Sequence, residues 1–269
     1  MKTFTKESLK EELLEISNRG FIASHKDTSR YRNDGAAGNL LENLLGIEEN
    51  NLPLPNANEW ELKVQRKQTG SLMTLFHSEP SPRALKFVPQ VLLPKYGWVH
   101  DAAGTRFPAT ERSFRQTMSG ANFTDRGFIV EHNDDAVRIK FDASKVSERH
   151  AEWLKSVEEK AGLADLDPHP YWGLDDLRAK VASKLHNAFY VIADVRKESD
   201  HEHFHYARCE VLSGFSLDGF LDCLDEGLAH VEFDARTGHN HGTKFRIKQQ
   251  ALPRLYAQHQ VLFDNMGKF

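Results

Sequence analysis

The stretch PLPNANEWELKVQRK, residues 53–67, decides the fold prediction for this chain. Apolar and polar residues alternate in its second half, with Leu62 and Val64 on one side and Glu61 and Lys63 on the other. Alternation with a period of two predicts a β-strand with one apolar and one polar face. Two opposite charges on such a face are either a solvated ion pair or a pair of catalytic groups.

The catalytic alternative is the hydrolysis of a phosphodiester. A divalent metal held by carboxylates activates the attacking water, and a nearby ammonium orients that water or stabilises the pentacovalent state. Glu61 and Lys63 would bring both groups to one phosphate, and an acid from the preceding turn would complete the metal site. That turn carries Asn56, which is not an acid.

The charges of the chain are segregated along it, although the net charge is only −4. Six basic residues and the single acid Glu79 occur between Leu62 and His100. Five basic residues and no acid occur between Ala235 and Phe263. Two basic stretches in an otherwise acidic chain favour a polyanion such as nucleic acid as a partner, unless the charges cluster by chance on solvated faces.

Composition agrees with a globular protein of one large domain or two lobes, since the chain has 269 residues and 39% hydrophobic content. No apolar run approaches the roughly 18 residues of a membrane helix. The two cysteines, Cys209 and Cys223, have no metal-like spacing. We therefore expect a soluble, cytoplasmic protein.

Periodicity predicts a mixture of helices and strands over the rest of the chain. SLMTLFH, residues 71–77, is predicted as a buried strand beside the Glu61 strand, and residues 126–142 as a hairpin turning at 133–135. The Pro-rich LDPHPYWG predicts a boundary that divides lobe 1–168 from lobe 169–269. Further helices are predicted around residues 5–20, 38–46, 147–162, 174–185 and 216–227, and further strands around 188–195, 203–212, 229–235 and 243–248.

The tip RTGHNHG, residues 236–242, joins the last two of these strands. His239 and His241, with Arg246 beyond them, suit hydrogen bonds to guanine O6 and N7. A zinc site is an alternative, but no third ligand is evident nearby. Lys244, Arg246 and Lys248 share one strand face, which suits a phosphate backbone.

Two other groups of residues carry weaker signals. His201, His203 and His205 share one strand face, as either a metal site or a solvated strand edge. Glu42 interrupts the apolar end of a short helix, where its carboxylate would either stabilise a helix N-terminus or support the metal ligands.

Several segments together resemble the MvaI/BcnI restriction endonucleases, which are relatives of the nickase MutH. GNLLENLLGIEENNLPLPNANEWELK and LMTLFHSEPSPR resemble the catalytic segment of that family. FRQTMSG, YWGLDDL, FYVIADV and HNHGTKFRI resemble further family segments in the same order. The resemblance implies an α/β (α+β) fold of the PD-(D/E)XK type, a mixed sheet flanked by helices, with a catalytic lobe and a recognition lobe around a DNA cleft.

The resemblance also implies roles for individual residues. Glu61 and Lys63 match the catalytic Glu-x-Lys of the family, and Glu42 matches the helix glutamate before it. His239, His241 and Arg246 match the segment that recognises guanines, and Asp234 and Arg236 would assist them. Backbone contacts are expected from the basic stretches, among them Arg66, His77, Lys244 and Lys248.

One position departs from the family pattern. Asn56 stands where the family has the aspartate of its PD motif, so it would be a weak, uncharged ligand for the metal. Mg²⁺ prefers carboxylates, so either Glu59 or Glu49 supplies the missing charge, or cleavage is impaired.

The sequence as a whole therefore predicts a type II restriction endonuclease. We expect a Mg²⁺-dependent monomer that cleaves double-stranded DNA at a CC-N-GG site, such as CCSGG, in a prokaryotic cytoplasm that also holds a cognate DNA methyltransferase. A cleavage-impaired sequence-specific DNA-binding protein and a MutH-like nickase are the alternatives. A protein that does not bind nucleic acid would fit only if the basic stretches arose by chance.

Overall fold

The computed structural model describes residues 4–24, 35–47, 60–67, 70–198 and 201–269. Asn56, Glu59 and Glu49 lie outside the described residues. The helices are α1 (Lys6–Asn18), α2 (Ala36–Leu45), α3 (Ala151–Ala161), α4 (Leu174–Lys184) and α5 (Leu217–Asp225). Shorter helical segments lie at Arg83–Leu85, Val88–Tyr96, Glu148–His150 and Gln249–Leu255.

The strands form three sheets. They are β1 (Ile22–Ala23), β2 (Glu61–Arg66), β3 (Leu72–His77), β4 (Trp98–Val99), β5 (Arg112–Met118), β6 (Arg126–His132), β7 (Ala136–Val146), β8 (Tyr171–Gly173), β9 (Asn187–Glu198), β10 (His201–Phe215), β11 (Ala229–Arg236), β12 (His239–Asn240), β13 (Lys244–Lys248) and β14 (Tyr256–Asp264). The first sheet has the order β1-β10-β9-β2, with β14 also paired to β10. The second has the order β3-β13-β11-β5-β4, with β12 on β11, and the third is β6-β7-β8. The predicted α+β class, with mixed sheets and flanking helices, is confirmed.

The chain divides into two compact units, and each is built from separate stretches. Unit 1 comprises Met1–Met73, Arg178–Leu217 and Gln249–Phe269, and unit 2 comprises Thr74–Leu177 and Asp218–Lys248. These units do not coincide with lobes 1–168 and 169–269. The assignment of a catalytic and a recognition lobe stays a prediction.

The core of unit 1 contains the apolar stripe of α1. The helix begins after Thr5, whose hydroxyl accepts a hydrogen bond of 3.1 Å from the backbone N–H of Ser8. This bond satisfies a backbone donor that would otherwise lack a partner at the helix start. Leu9, Leu13 and Ile16 are buried, as their spacing predicted, in one apolar cluster with β9 and β10.

Strand β2 pairs in parallel with β9, so that Glu61 lies beside Ala188 and Lys63 beside Tyr190. The predicted pairing of β2 with β3 is wrong, because β3 belongs to the second sheet and lies next to β13. Alternation predicts that a segment is a strand and which residues share a face. It does not predict the partner, which depends on segments far away in the sequence.

The second sheet gives unit 2 one apolar and one charged face. Along β11, Val231, Phe233 and Ala235 are buried, while the residues between them are partly exposed. Phe245 of β13 stacks on Phe76 at 4.7 Å and meets Trp172 edge-on at 5.1 Å. This aromatic core fixes the sheet and leaves its other face to charged side chains.

The predicted hairpin in unit 2 is confirmed as β6 and β7. The side-chain oxygen of Asn133 accepts hydrogen bonds from the backbone N–H groups of Asp135 and Ala136, at 3.0 and 2.9 Å. Asn favours such turns because its side chain caps the backbone locally. In the described part of the chain, no helix is both long and apolar enough to span a bilayer.

Candidate catalytic and nucleic-acid-binding sites

Glu61 is buried on the polar face of β2, at 3% exposure. Lys63 Nζ lies 2.8 Å from Glu61 Oε1, so the two charges of the opening stretch form a close ion pair. Gln65, two positions further along the same face, is also buried. The face that alternation predicted as polar is therefore covered, and a solvated surface ion pair does not describe it.

The covering segment comes from the end of unit 1. Tyr190, the neighbour of Lys63 in the sheet, donates its hydroxyl to the carbonyl of Gln249 at 3.2 Å. The side-chain amide of Gln249 donates to Ser71 Oγ at 2.5 Å. These bonds hold Gln249 next to the face that carries Glu61 and Lys63.

Two further side chains of unit 1, those of Lys184 and Tyr256, interact electrostatically with the Glu61 carboxylate. Lys184 Nζ, at the end of α4, lies 3.9 Å from the same Oε1 that Lys63 approaches. Tyr256 is 5% exposed, and its hydroxyl has no hydrogen-bond partner among the described residues. Burial, followed by the nearby charge of Glu61, raises the pKa of Tyr256. Two ammonium groups thus approach the same oxygen of the Glu61 carboxylate.

Glu61 fits a divalent metal as one hard oxygen ligand. The described residues contain no group of three His, Cys, Asp or Glu side chains arranged to hold a metal. The other predicted ligands, Asn56 and Glu59, lie outside the described residues. The buried hydroxyl of Tyr256 has no hydrogen-bond partner among the described residues and could bond a further polar group.

Glu42 lies in the last turn of α2, whose first residue is Ala36. The interpretation of this carboxylate as a helix N-terminal stabiliser is therefore wrong, because the C-terminal end of a helix disfavours negative charge. Its backbone carbonyl accepts the N–H of Ile47 at 2.9 Å. A role of Glu42 in support of the metal ligands stays a prediction.

Arg66 is the last residue of β2, and its side chain forms an ion pair with Glu202 of β10. Its two terminal nitrogens donate to the two carboxylate oxygens at 2.9 and 2.7 Å, and the guanidinium lies 5.1 Å from the centre of the Phe204 ring. Because this two-point contact already uses the guanidinium, a contact with a DNA phosphate would require the pair to rearrange.

Of the three histidines of β10, only His201 is exposed, as a solvated edge would require. His203 lies where β10 has β9 on one side and β1 on the other, and His205 is buried. His205 is only 1% exposed and packs against the rings of Phe21 and Phe269, at 5.6 and 4.9 Å. His203 Nε2 lies 3.7 Å from a carboxylate oxygen of Glu198. Burial lowers the pKa of His205, although Asp194 opposes this shift.

The charged face of unit 2 carries most of the residues that the sequence assigned to DNA. Arg246 Nη1 contacts Glu232 at 2.6 Å, and Lys244 Nζ contacts Glu232 at 3.1 Å and Asp234 at 3.4 Å. Arg115 Nε contacts Asp234 at 2.8 Å. These pairs orient the cations before any ligand binds. Burial would raise the pKa of Glu232, but the hydrogen bonds and charges of Arg246 and Lys244 outweigh it and lower that pKa.

The tip lies at one end of this face. His239 Nε2 lies 3.3 Å from His241 Nδ1, and the backbone N–H of His241 donates to the carbonyl of Asp234 at 3.0 Å. The side chain of His77 lies close to Gly242 of the tip, because a Cβ atom placed on Gly242 would be 3.5 Å from His77 Cδ2. Burial lowers the pKa of His241, while Asp234 opposes this shift.

A pocket of about 420 Å³ in unit 2 adjoins the tip. Its wall includes Arg236, whose guanidinium lies 3.0 Å from a carboxylate oxygen of Glu111 and 4.6 Å from the centre of the Phe107 ring. His100, Arg106 and Arg115 also line it, and Asp234 is the one acid among the described residues of its lining. Such a pocket attracts an anion or the electronegative edge of a base.

The sequence interpretation missed several of these residues. Arg115 follows the outward alternation of β5, which would have predicted its exposure. Glu232 also alternates outward on β11, but no sequence signal assigns it the role of orienting Arg246. Lys184 and Tyr256 approach Glu61 only through the packing of distant segments.

The model of the MvaI/BcnI restriction endonuclease family matches residues 10–256 of the chain. The restriction endonuclease MvaI in complex with its cognate DNA substrate has a similar structure, with a TM-score of 0.74 at 20% sequence identity over 97% of this chain and 100% of that chain. MvaI in the absence of DNA gives a TM-score of 0.52 at 19% identity over 98% of this chain and 100% of that chain. At these identities the structural likeness concerns the fold alone. No curated protein matches the chain.

Proposed function

Because this chain belongs to the MvaI/BcnI restriction endonuclease family, we propose that it is a type II restriction endonuclease. Its substrate would be double-stranded DNA with a short CC-N-GG site, such as CCSGG. We propose Mg²⁺ as the cofactor, and action as a monomer in a prokaryotic cytoplasm with a DNA methyltransferase of the same specificity. The principal support is the buried ion pair of Glu61 and Lys63 inside the family match.

Glu61 would hold the metal, with Asn56 as a weak ligand and Glu59 as the source of the missing charge. When bound, the metal supplies a polarised water and positive charge at the phosphate. Lys63 holds the carboxylate in place at 2.8 Å and would orient the attacking water or donate to the phosphate. Hydrolysis would leave a 5′-phosphate and a 3′-hydroxyl.

Recognition of the bases would fall to the charged face and tip of unit 2. Imidazole and guanidinium groups donate to guanine O6 and N7 in the major groove, which suits His239, His241 and Arg246. Arg236 and Asp234 would assist them, and Lys244 and Lys248 would contact phosphates. Glu232 supports this assignment because it already holds Arg246 in one orientation.

Asn56 motivates a second candidate function, a sequence-specific DNA-binding protein that does not cleave. An uncharged amide is a poor replacement for the carboxylate that Mg²⁺ prefers. Such a protein would bind a CC-N-GG duplex and leave it intact. A nickase related to MutH would instead cut one strand and accumulate nicked circles.

Plasmid digestion with and without Mg²⁺ tests the proposal, with the natural chain run beside its Asn56→Asp variant. Linear product from both proteins, only with Mg²⁺, is the expected result and means that a neighbouring acid compensates. Cleavage by the variant alone identifies the cleavage-impaired protein. If neither protein cuts a plasmid with all CC-N-GG sites and neither prefers such a duplex in binding, the proposed function is wrong. Lys63→Ala serves as the inactive control.

A further inference from the structure

Glu79 is the single acid in the basic stretch Leu62–His100, and the proposed chemistry gives it no task. A negative charge on a surface that meets DNA weakens binding, because the phosphates repel it. Glu79 lies just beyond β3 and is itself exposed. A carboxylate that weakens DNA binding is therefore expected to have another role that offsets this cost.

The carboxylate of Glu79 is bonded to the chain directly after the tip. Glu79 Oε1 accepts the backbone N–H of Thr243 at 2.8 Å. The backbone N–H of Ser78 donates to the carbonyl of Thr243 at 3.0 Å. Thr243 is thus held at its N–H and its C=O by two consecutive residues, and it is fully buried.

The segment that carries Glu79 is anchored in the core of unit 2. Trp172 Nε1 donates to the carbonyl of Ser78 at 2.9 Å. The backbone N–H of Ser81 donates to the carbonyl of Tyr171 at 2.7 Å. The indole of Trp172 is 3% exposed and packs against Phe245. Glu79 therefore projects from a fixed support, so its bond to Thr243 restrains the tip.

The restrained part of the tip carries the predicted base-reading histidines. A Cβ built on Gly242 would lie 3.5 Å from both Glu79 Oε1 and His77 Cδ2. The N–H of Gly242 donates to Asn240 Oδ1 at 3.0 Å, which shapes the turn between His241 and Thr243. Glu79 and His77 thus contact the tip from the same strand end.

We propose that Glu79 is a positioning residue for base recognition. Its hydrogen bond to Thr243 holds His239 and His241 in a fixed position relative to His77 before DNA binds. Fixing recognition groups in advance lowers the entropy lost on binding and sharpens discrimination between bases. The proposal rests on the proposed function, since it takes the tip as the base-reading segment.

Three variants separate this role from a simple charge effect. Glu79→Ala removes the acceptor for Thr243, whereas Glu79→Gln keeps a side-chain oxygen there and loses only the charge. Glu159→Ala removes an exposed carboxylate from α3 and serves as the matched control. Binding is measured with Ca²⁺ in place of Mg²⁺, on duplexes with each central base of CC-N-GG and on a duplex without the site.

We expect Glu79→Ala to lower the preference for the best duplex over the site-free duplex by about tenfold, the value of one well-placed base contact. Glu79→Gln should restore that preference while raising affinity for all duplexes alike, because only a repulsive charge is lost. Glu159→Ala should preserve the preference. Arg246→Ala, which removes a predicted base-reading group, provides the positive control for lost discrimination.

Amide hydrogen exchange tests the restraint itself without DNA. The N–H of Thr243 should exchange faster in Glu79→Ala than in the natural protein, and Glu79→Gln should exchange at the natural rate. If the natural protein prefers no duplex, the proposed function fails and this inference fails with it. If the natural protein discriminates but Glu79→Ala does so equally well, or exchange at Thr243 is unchanged, only the inference is wrong.

Discussion

Two lysine ammonium groups lie at different distances from the Glu61 carboxylate. Lys63 is within hydrogen-bonding distance of Oε1 at 2.8 Å, while Lys184 at 3.9 Å acts through its charge alone. A divalent metal held by Glu61, as proposed, would be repelled by the positive charge of both ammonium groups.

Lys63→Met tests the catalytic role of this residue. We expect the cleavage rate to fall roughly 100-fold or more, since a positioned donor at a developing charge is lost. Specific DNA binding in Ca²⁺ should be retained. Lys155→Met, which removes an exposed lysine that pairs with Glu152, should leave both measurements unchanged. Loss of specific binding by a well-folded Lys63→Met would contradict the assignment.

Strand β10 contains a buried histidine whose pKa is lowered in the folded protein. It places His205 in unit 1 between the rings of Phe21 and Phe269, with Asp194 at 4.0 Å and Lys268 nearby. Burial outweighs the attraction of Asp194 and lowers the pKa of His205. The neutral form is therefore the one that the folded state stabilises.

The folded protein should lose stability as the pH falls below about 6.5, the ordinary pKa of histidine. The unfolded chain takes up a proton there, whereas folded His205 does so only at lower pH. The loss per histidine is at most about 1.4 kcal/mol for each pH unit between the two pKa values. Above that range the contribution is constant.

Thermal unfolding of the natural protein and of His205→Gln, followed from pH 7.5 to 5.5 (about one unit either side of that pKa), measures this effect. The variant should show a smaller fall in Tm over that range. His230 and His241 also have lowered pKa values, through burial first, so a residual fall is expected in the variant. Equal falls in both proteins would contradict the role of His205.

The elements themselves were largely predictable. The stripe of α1, the hairpin of β6 and β7, and the alternation of β11 and β13 all follow from local periodicity, and the structure has them. The partner of β3 was predicted wrongly, because a buried strand pairs equally well with several neighbours until the whole core is assembled.

At the scale of the whole molecule, DNA binding must overcome a net charge of −4. Arg115, Lys244 and Arg246 on the charged face of unit 2 are already paired with Glu232 or Asp234, so phosphates that approach these cations would compete with those pairs. Affinity then depends on the local positive potential, which salt screens.

The affinity for duplex DNA should therefore fall steeply with salt. A plot of log K against log salt concentration should have a negative slope of about 0.9 for each phosphate neutralised. A titration by fluorescence anisotropy at several salt concentrations measures it. A flat plot would favour a protein whose basic residues cluster by chance and do not meet a polyanion.

The sequence by itself determined many of the helices and strands, the segregation of charge, and the shared strand face of Glu61 and Lys63, because each depends on residues close together in the chain. Only the tertiary structure decided that Glu61 is buried and that Lys184 lies near its carboxylate. Likewise, Glu79 and Thr243 are 164 positions apart, so no local sequence pattern predicts their hydrogen bond. Contacts of this kind arise when distant segments pack, and packing depends on the shape of the whole core.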